Sequence, residues 1–151
     1  MRVRGFTLVE LVTVIVLISV LAVLAVPRLD LGATDTRAAA GQLIGALRHA
    51  QQLSLTHTTA AGYRVEIDAS GYRVRDGAGN DVTDPMTGTT PMVATWSDVT
   101  LSPTGSIAFD GRGAPACSGG LACSAGNATL TLTTAGGSAT VTVERTTGYV
   151  R

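Results

Sequence analysis

The chain has 151 residues, of which 45% are hydrophobic and 15% charged, with 11 basic and 11 acidic residues. A chain of this length holds one soluble domain beside an anchor. Its balanced charge gives no general attraction to nucleic acid or to anionic lipid. The length therefore predicts one compact core, and the balanced charge argues against a strongly basic nucleic-acid-binding protein.

The first predicted element is an apolar segment of 21 residues, from Phe6 to Val26. A helix rising about 1.5 Å per residue would extend this segment over about 31 Å, enough to cross a bilayer core of about 30 Å. Arg2 and Arg4 precede it, which predicts a cytoplasmic N-terminus and an exported remainder. Glu10 needs an explanation, since a charged group at the centre of such a helix costs about 2.5–3.5 kcal/mol in lipid.

A chain cut between Gly5 and Phe6 offers one explanation for this carboxylate. The new amino group of Phe6 would lie four residues from Glu10, so the two charges could pair within one chain or between neighbouring chains. The alternative is an uncleaved single-pass anchor, in which Glu10 lies near a helix start, where the macrodipole favours an acid.

Pro27 follows the apolar segment and predicts a kink or a local loss of helix, because proline has no N–H to donate. Helix should resume near Thr34 or Asp35, since either residue can cap it. Apolar residues recur at three- and four-residue spacing over residues 37–56, which predicts one face that packs on a sheet. A small and polar strip on the other side should face water or neighbouring helices.

The downstream sequence alternates between apolar and polar residues, which is typical of half-buried strands. Residues 63–75 predict a hairpin with a turn at Ser70-Gly71, and the acids interleaved with its arginines favour a solvated sheet face. We expect further strands at residues 93–101 and 106–109, and a second hairpin over residues 130–143.

Two other segments raise the question of metal binding. Residues 76–91 are rich in turn residues and aspartate, which predicts a solvated loop, with calcium as the lesser alternative because the EF-hand spacing is absent. Cys117 and Cys123 lie in the exported part, where a disulfide is expected, and a metal site lacks a nearby histidine. Without a recognisable catalytic motif, we expect no enzymatic activity, no metal and no cofactor.

The N-terminal residues resemble the class III signal of type IV pilins and type II secretion pseudopilins. A short basic leader, Gly5, Phe6 and Glu10 at the fifth mature position carry the resemblance. It implies that prepilin peptidase removes residues 1–5 and N-methylates Phe6, and that Glu10 neutralises the amine of a neighbouring subunit during assembly. It also implies that Pro27 marks a segment that can lose helix in the filament.

The rest of the chain resembles GspH/FimT-type minor pseudopilins, and a minor pilin of the mannose-sensitive haemagglutinin class is the other possibility. The strand that leads into residues 107–113 and the ending at residues 147–151 carry this resemblance. It implies an α+β, pilin-like fold, with a long N-terminal hydrophobic helix packed on antiparallel β-sheets. The implied parts are a leader at 1–5, a transmembrane and filament-core helix at 6–26, a kink and amphipathic second helix half at 27–57, and a periplasmic β domain at 58–151.

The function implied by this resemblance is that of a structural subunit of a type II secretion pseudopilus or a type IV pilus, near the filament tip. Before assembly, the chain would cross the inner membrane once, with its N-terminus in the cytoplasm and its C-terminal domain in the periplasm. Its implied partners are other major and minor subunits, prepilin peptidase, the inner membrane and the assembly platform.

DNA uptake or surface binding is the alternative function. Some FimT-like proteins take up DNA, and a C-terminal Gly-Arg-x-Arg pattern is implicated; here Tyr149 replaces the first arginine and Arg151 matches the second. Tyr149 could stack on a base and Arg151 could contact a phosphate. Loss of Arg2 and Arg4 with the leader would leave 9 basic against 11 acidic residues, so we do not expect nucleic acid as a partner.

Overall fold

The computed structural model of the protein describes residues 7–25, 31–57 and 62–151. Its backbone divides into two compact units, Met1–Leu31 and Gly32–Arg151. The first unit contains one described helix, and the second contains a helix and all the described strands. The predictions that concern Gly5, Phe6 and Pro27 lie outside the described residues.

Helix α1 spans Leu8–Ala25, and its described apolar side chains point in every direction around the axis. The large ones are exposed, from 47% at Val14 to 78% at Leu8. Its described hydroxyl groups donate to carbonyl oxygens one turn earlier, so they add little polarity to the surface. Within the part of the chain that the structure describes, no helix is both long and apolar enough to span a membrane.

Helix α2 spans Leu31–Thr56 and begins a few residues before the predicted start at Thr34 or Asp35. Both residues can cap a helix, but in the structure they lie inside α2 and not at its start. The predicted apolar face is buried: the exposed fraction is 0% at both Leu43 and Leu47.

Eight strands follow α2 in the described part of the chain. They are β1 (Tyr63–Asp68), β2 (Gly71–Asp76), β3 (Val93–Thr95), β4 (Thr100–Ser102), β5 (Gly105–Phe109), β6 (Pro115–Gly119), β7 (Ala128–Thr134) and β8 (Gly137–Val143). The order β3-β2-β1-β5-β6 forms a larger sheet and β4-β7-β8 a smaller one. All the strand pairs are antiparallel.

The strand predicted over residues 93–101 is two strands, β3 and β4, in different sheets. The chain leaves the larger sheet after Trp96, whose N–H donates to the Ser70 carbonyl at 2.7 Å. It then joins the smaller sheet, where Leu101 pairs with Leu132 of β7. The Leu101 N–H donates back to the Ala69 carbonyl, in the turn between β1 and β2, at 2.8 Å. The apolar residues change phase at this bend, from even positions up to Trp96 to odd positions from Val99, and the single predicted strand did not take this change into account. Strand β6, which contains Cys117, was not predicted.

One hydrophobic core joins α2 to the inner faces of both sheets, so the predicted α+β, pilin-like fold is confirmed. Its largest fully buried side chains are Phe109, Leu43, Leu47, Ile67, Leu101, Ile107, Leu130 and Leu132. Truncating a leucine at such a position to alanine costs about 2–5 kcal/mol of stability. This packing holds the outer surfaces and the chain end in fixed positions.

Candidate functional site

The first turn of α1 holds Glu10 in a reciprocal cap with Thr7. The Thr7 N–H and hydroxyl donate to Glu10 Oε2 at 3.3 and 3.2 Å. In return, the Glu10 N–H donates to the Thr7 hydroxyl oxygen at 3.2 Å, and the Leu11 N–H donates to the Thr7 carbonyl at 3.2 Å. This is a capping box, which satisfies N–H groups that a helix start otherwise leaves unpaired.

Thr7 is not among the functional residues predicted from the sequence. The signal was present, because a threonine followed three residues later by glutamate and then by an apolar run is the pattern of a capping box. The cap fixes the position of the Glu10 carboxylate at the start of α1. Both bonds from Thr7 use Oε2, and no described residue donates to Oε1. That oxygen can therefore accept a hydrogen bond from another group.

The C-terminal segment is attached to β8 and to the second half of α2. Val150 is 1% exposed and forms a bridge with Val143, and Arg151 exchanges main-chain hydrogen bonds with Thr142 at 2.8 and 3.0 Å. From α2, the Arg48 guanidinium donates to the Val150 carbonyl at 2.9 Å. These contacts determine where the predicted DNA-contacting residues lie.

Tyr149 and Arg151 flank the buried Val150 and are both exposed, Tyr149 by 57%. Gln51 of α2 supports the preceding turn by donating to the Thr147 carbonyl at 2.8 Å. The segment therefore presents an aromatic ring and a guanidinium on its outer side.

The cysteine residues form a disulfide in the structure, with 5.4 Å between their Cα atoms. Cys117 lies on the edge strand β6, and Cys123 lies in the following loop. Leu121 and Cys123 are 5% and 7% exposed, so this loop covers part of the core. The disulfide therefore connects the edge strand to the following loop, which packs on the core.

Asp76 and Asp84 accept hydrogen bonds from main-chain N–H groups of the loop that follows β2. The Asp76 carboxylate accepts hydrogen bonds from the N–H groups of Ala78 and Asn80, at 2.9 and 2.7 Å, and from the Asn80 amide at 2.9 Å. Asp84 accepts from the Met86 N–H at 2.8 Å. These bonds lower the pKa of both carboxyl groups. Among the described residues, no three side chains of the metal-binding types are grouped so that they could hold an ion.

Residues 1–26 match the family model described as the prokaryotic N-terminal methylation motif. No curated protein and no solved structure matches the chain. The motif supports a protein of the type IV pilin or pseudopilin type, and it implies prepilin processing and a membrane-anchored N-terminus. The motif also suggests a structural role and implies assembly with other pilins.

Proposed function

We propose that the chain is a minor pilin or pseudopilin, a structural subunit of a type II secretion pseudopilus or a type IV pilus that lies near the filament tip. One observation carries the proposal: α1 exposes apolar side chains on every side and bears one described charge, at its start. A helix that is apolar all round is buried in a membrane or in a protein core. The methylation motif extends over this helix.

Before assembly, residues 6–26 hold the chain in the bacterial inner membrane. Arg2 and Arg4 keep the N-terminus in the cytoplasm, and the β domain lies in the periplasm. Prepilin peptidase cuts between Gly5 and Phe6 and methylates the new amine. The subunit then leaves the lipid through the assembly platform, and the helices of neighbouring subunits cover the apolar surface of α1. The structure of Gly5 and Phe6 lies outside the described residues.

In the filament, Glu10 pairs with the N-terminal amine of a neighbouring subunit. The cap described above supports this role, because Thr7 occupies Oε2 and leaves Oε1 for the amine. Charge-assisted hydrogen bonds of this kind are about twice as strong as neutral ones. A carboxylate among apolar helices without such a partner would be strongly destabilising.

Two substitutions separate the charge of Glu10 from its cap. Glu10→Gln keeps a side chain that completes a capping box but removes the charge, whereas Thr7→Val removes the cap and keeps the charge. We expect Glu10→Gln and Glu10→Leu to lower incorporation into filaments at least about tenfold, because a neighbour's amine then stays unpaired. We expect Thr7→Val to change incorporation less than Glu10→Gln does.

The measurement is the amount of subunit in sheared filaments relative to the amount in membranes, with cleavage followed by the intact mass of the protein. All three variants should be inserted and lose Met1 to Gly5. Normal incorporation of Glu10→Gln would contradict the charge-pairing role of Glu10. An intact mass that retains the leader in cells with active peptidase would contradict the processing step itself.

DNA uptake is the second candidate function. The observation in its favour is the exposed pair of Tyr149 and Arg151 on a segment that Arg48 and Gln51 hold in place. An aromatic ring beside a guanidinium can bind single-stranded nucleic acid by stacking and by phosphate contact. The net charge of the processed chain weighs against this function, and a salt titration distinguishes the two candidates, as argued below.

A further inference from the structure

A groove beside the start of α2 has no part in the function proposed above. Asp35, Ala38 and Gln42 of α2 form one side, and residues 96–99, which connect β3 to β4, form the other. The groove has a volume of about 380 Å³. That is within the range of small ligand sites, and it is large enough for one inserted side chain.

Trp96 lines the groove, and two hydrogen bonds and a ring contact hold it in place. Its indole N–H donates to Gln42 Oε1 at 3.1 Å, and its main-chain N–H donates to the Ser70 carbonyl at 2.7 Å. Its ring lies 5.8 Å from the ring of Tyr72, at 59° between the planes. The half-buried indole is therefore fixed at the groove and still accessible to a partner.

The charge of the groove is negative. Asp35 and Asp98 line it, and both are exposed. In the part of the chain that the structure describes, neither carboxylate takes part in an ion pair, and no basic side chain lines the groove. The Ser97 hydroxyl donates to Asp98 Oδ2 at 2.8 Å, which orients that carboxylate. An indole and two carboxylates that line one groove are a combination that attracts a cation.

We propose that this groove binds an arginine side chain of an adjacent subunit in the filament. A planar guanidinium can stack on the Trp96 ring while its N–H groups donate to Asp35 or Asp98, which a lysine ammonium does less well. The identity of the partner rests on the proposed function. The preference of the groove for a guanidinium does not, and it can be measured without a filament.

Trp96 is the only tryptophan in the sequence, so its fluorescence reports directly on the groove. The full chain in detergent is titrated with Nα-acetyl-arginine amide, and in parallel with the lysine and citrulline amides. Citrulline has nearly the shape of arginine but no charge. We expect a saturable change in fluorescence with the arginine amide, with a half-saturation concentration about tenfold lower than that for citrulline and below that for lysine.

The double variant Asp35→Asn/Asp98→Asn tests the carboxylates, and Asp68→Asn/Asp81→Asn, which removes the same number of charges from residues that do not line the groove, controls for the change of net charge. We expect the double variant to lose the preference for arginine over citrulline and the control to keep it. Circular dichroism checks that both remain folded. An equal response to arginine and citrulline in the unmodified chain would overturn the proposal, as would an unchanged preference in the double variant. A stronger response to lysine would overturn the assignment to arginine.

Discussion

Gly148 shows how one residue fixes the position of the C-terminal segment. Its φ is +68°, in the left-handed region that side chains disfavour, and an added Cβ would collide with the Gly113 carbonyl oxygen. We therefore expect Gly148→Ala to cost about 2 kcal/mol or more of stability. Gly126→Ala is the matched control, because nothing lies within 4 Å of its Cβ position. Thermal unfolding of the full chain, followed by Trp96 fluorescence, measures both effects.

A change of less than about 0.5 kcal/mol for Gly148→Ala would contradict this assignment, since that is the size expected for a neutral surface position. The sequence could not have predicted the role of Gly148, because the colliding carbonyl comes from a loop 35 positions earlier in the numbering. The cap between Thr7 and Glu10 is the opposite case. It lies within four consecutive residues, so the sequence pattern was sufficient to predict it.

The loop that follows β2 is stabilised by ionised carboxylates. Hydrogen bonds from the Asn80 side chain and main chain lower the pKa of Asp76 below its usual value of 3.8. A group with a lowered folded-state pKa contributes stability above its unfolded pKa and loses it as pH falls through the folded value. We therefore expect the loop to stay ordered down to pH 3.8 and to loosen below it.

The NMR signals of the Ala78 and Asn80 amides, which donate to the Asp76 carboxylate, measure this transition. Their chemical shifts and exchange rates should change with a midpoint below pH 3.8, and Asp76→Asn should remove the midpoint. A transition centred above pH 3.8 would contradict the prediction. The Asp76 carboxylate already accepts hydrogen bonds from the loop. A loop rich in aspartate can therefore be ordered without calcium.

The periodicity of the sequence predicted the elements well where an element has one apolar face and one polar face. The alternation in residues 63–75 predicted β1, β2 and their turn, and the helical spacing predicted the buried face of α2. It failed where a strand has no alternation of its own and forms only by pairing with another strand. Strand β6 consists of small residues without alternation, and it forms because β5 supplies its hydrogen-bonding partners.

At the scale of the whole molecule, the charge balance favours the structural role over DNA uptake. The processed chain would have 9 basic and 11 acidic residues. Three arginines of the larger sheet are also paired with acids, as in the 3.1 Å contact between Arg64 and Glu66. The excess of acidic residues opposes DNA, and the pairing of these arginines reduces the release of counterions that supplies most of the non-specific affinity. A filament subunit needs no such charge.

We therefore expect the processed chain in detergent to bind a fluorescent DNA duplex weakly at about 20 mM salt and not detectably at about 150 mM, as measured by anisotropy. Arg151→Gln tests the exposed C-terminal guanidinium, and Arg64→Gln is the control of equal charge change at a paired arginine. Submicromolar binding at the higher salt concentration, reduced by Arg151→Gln but not by Arg64→Gln, would favour DNA uptake. Equal weak effects of both variants would show that the remaining attraction depends on net charge and not on a built site.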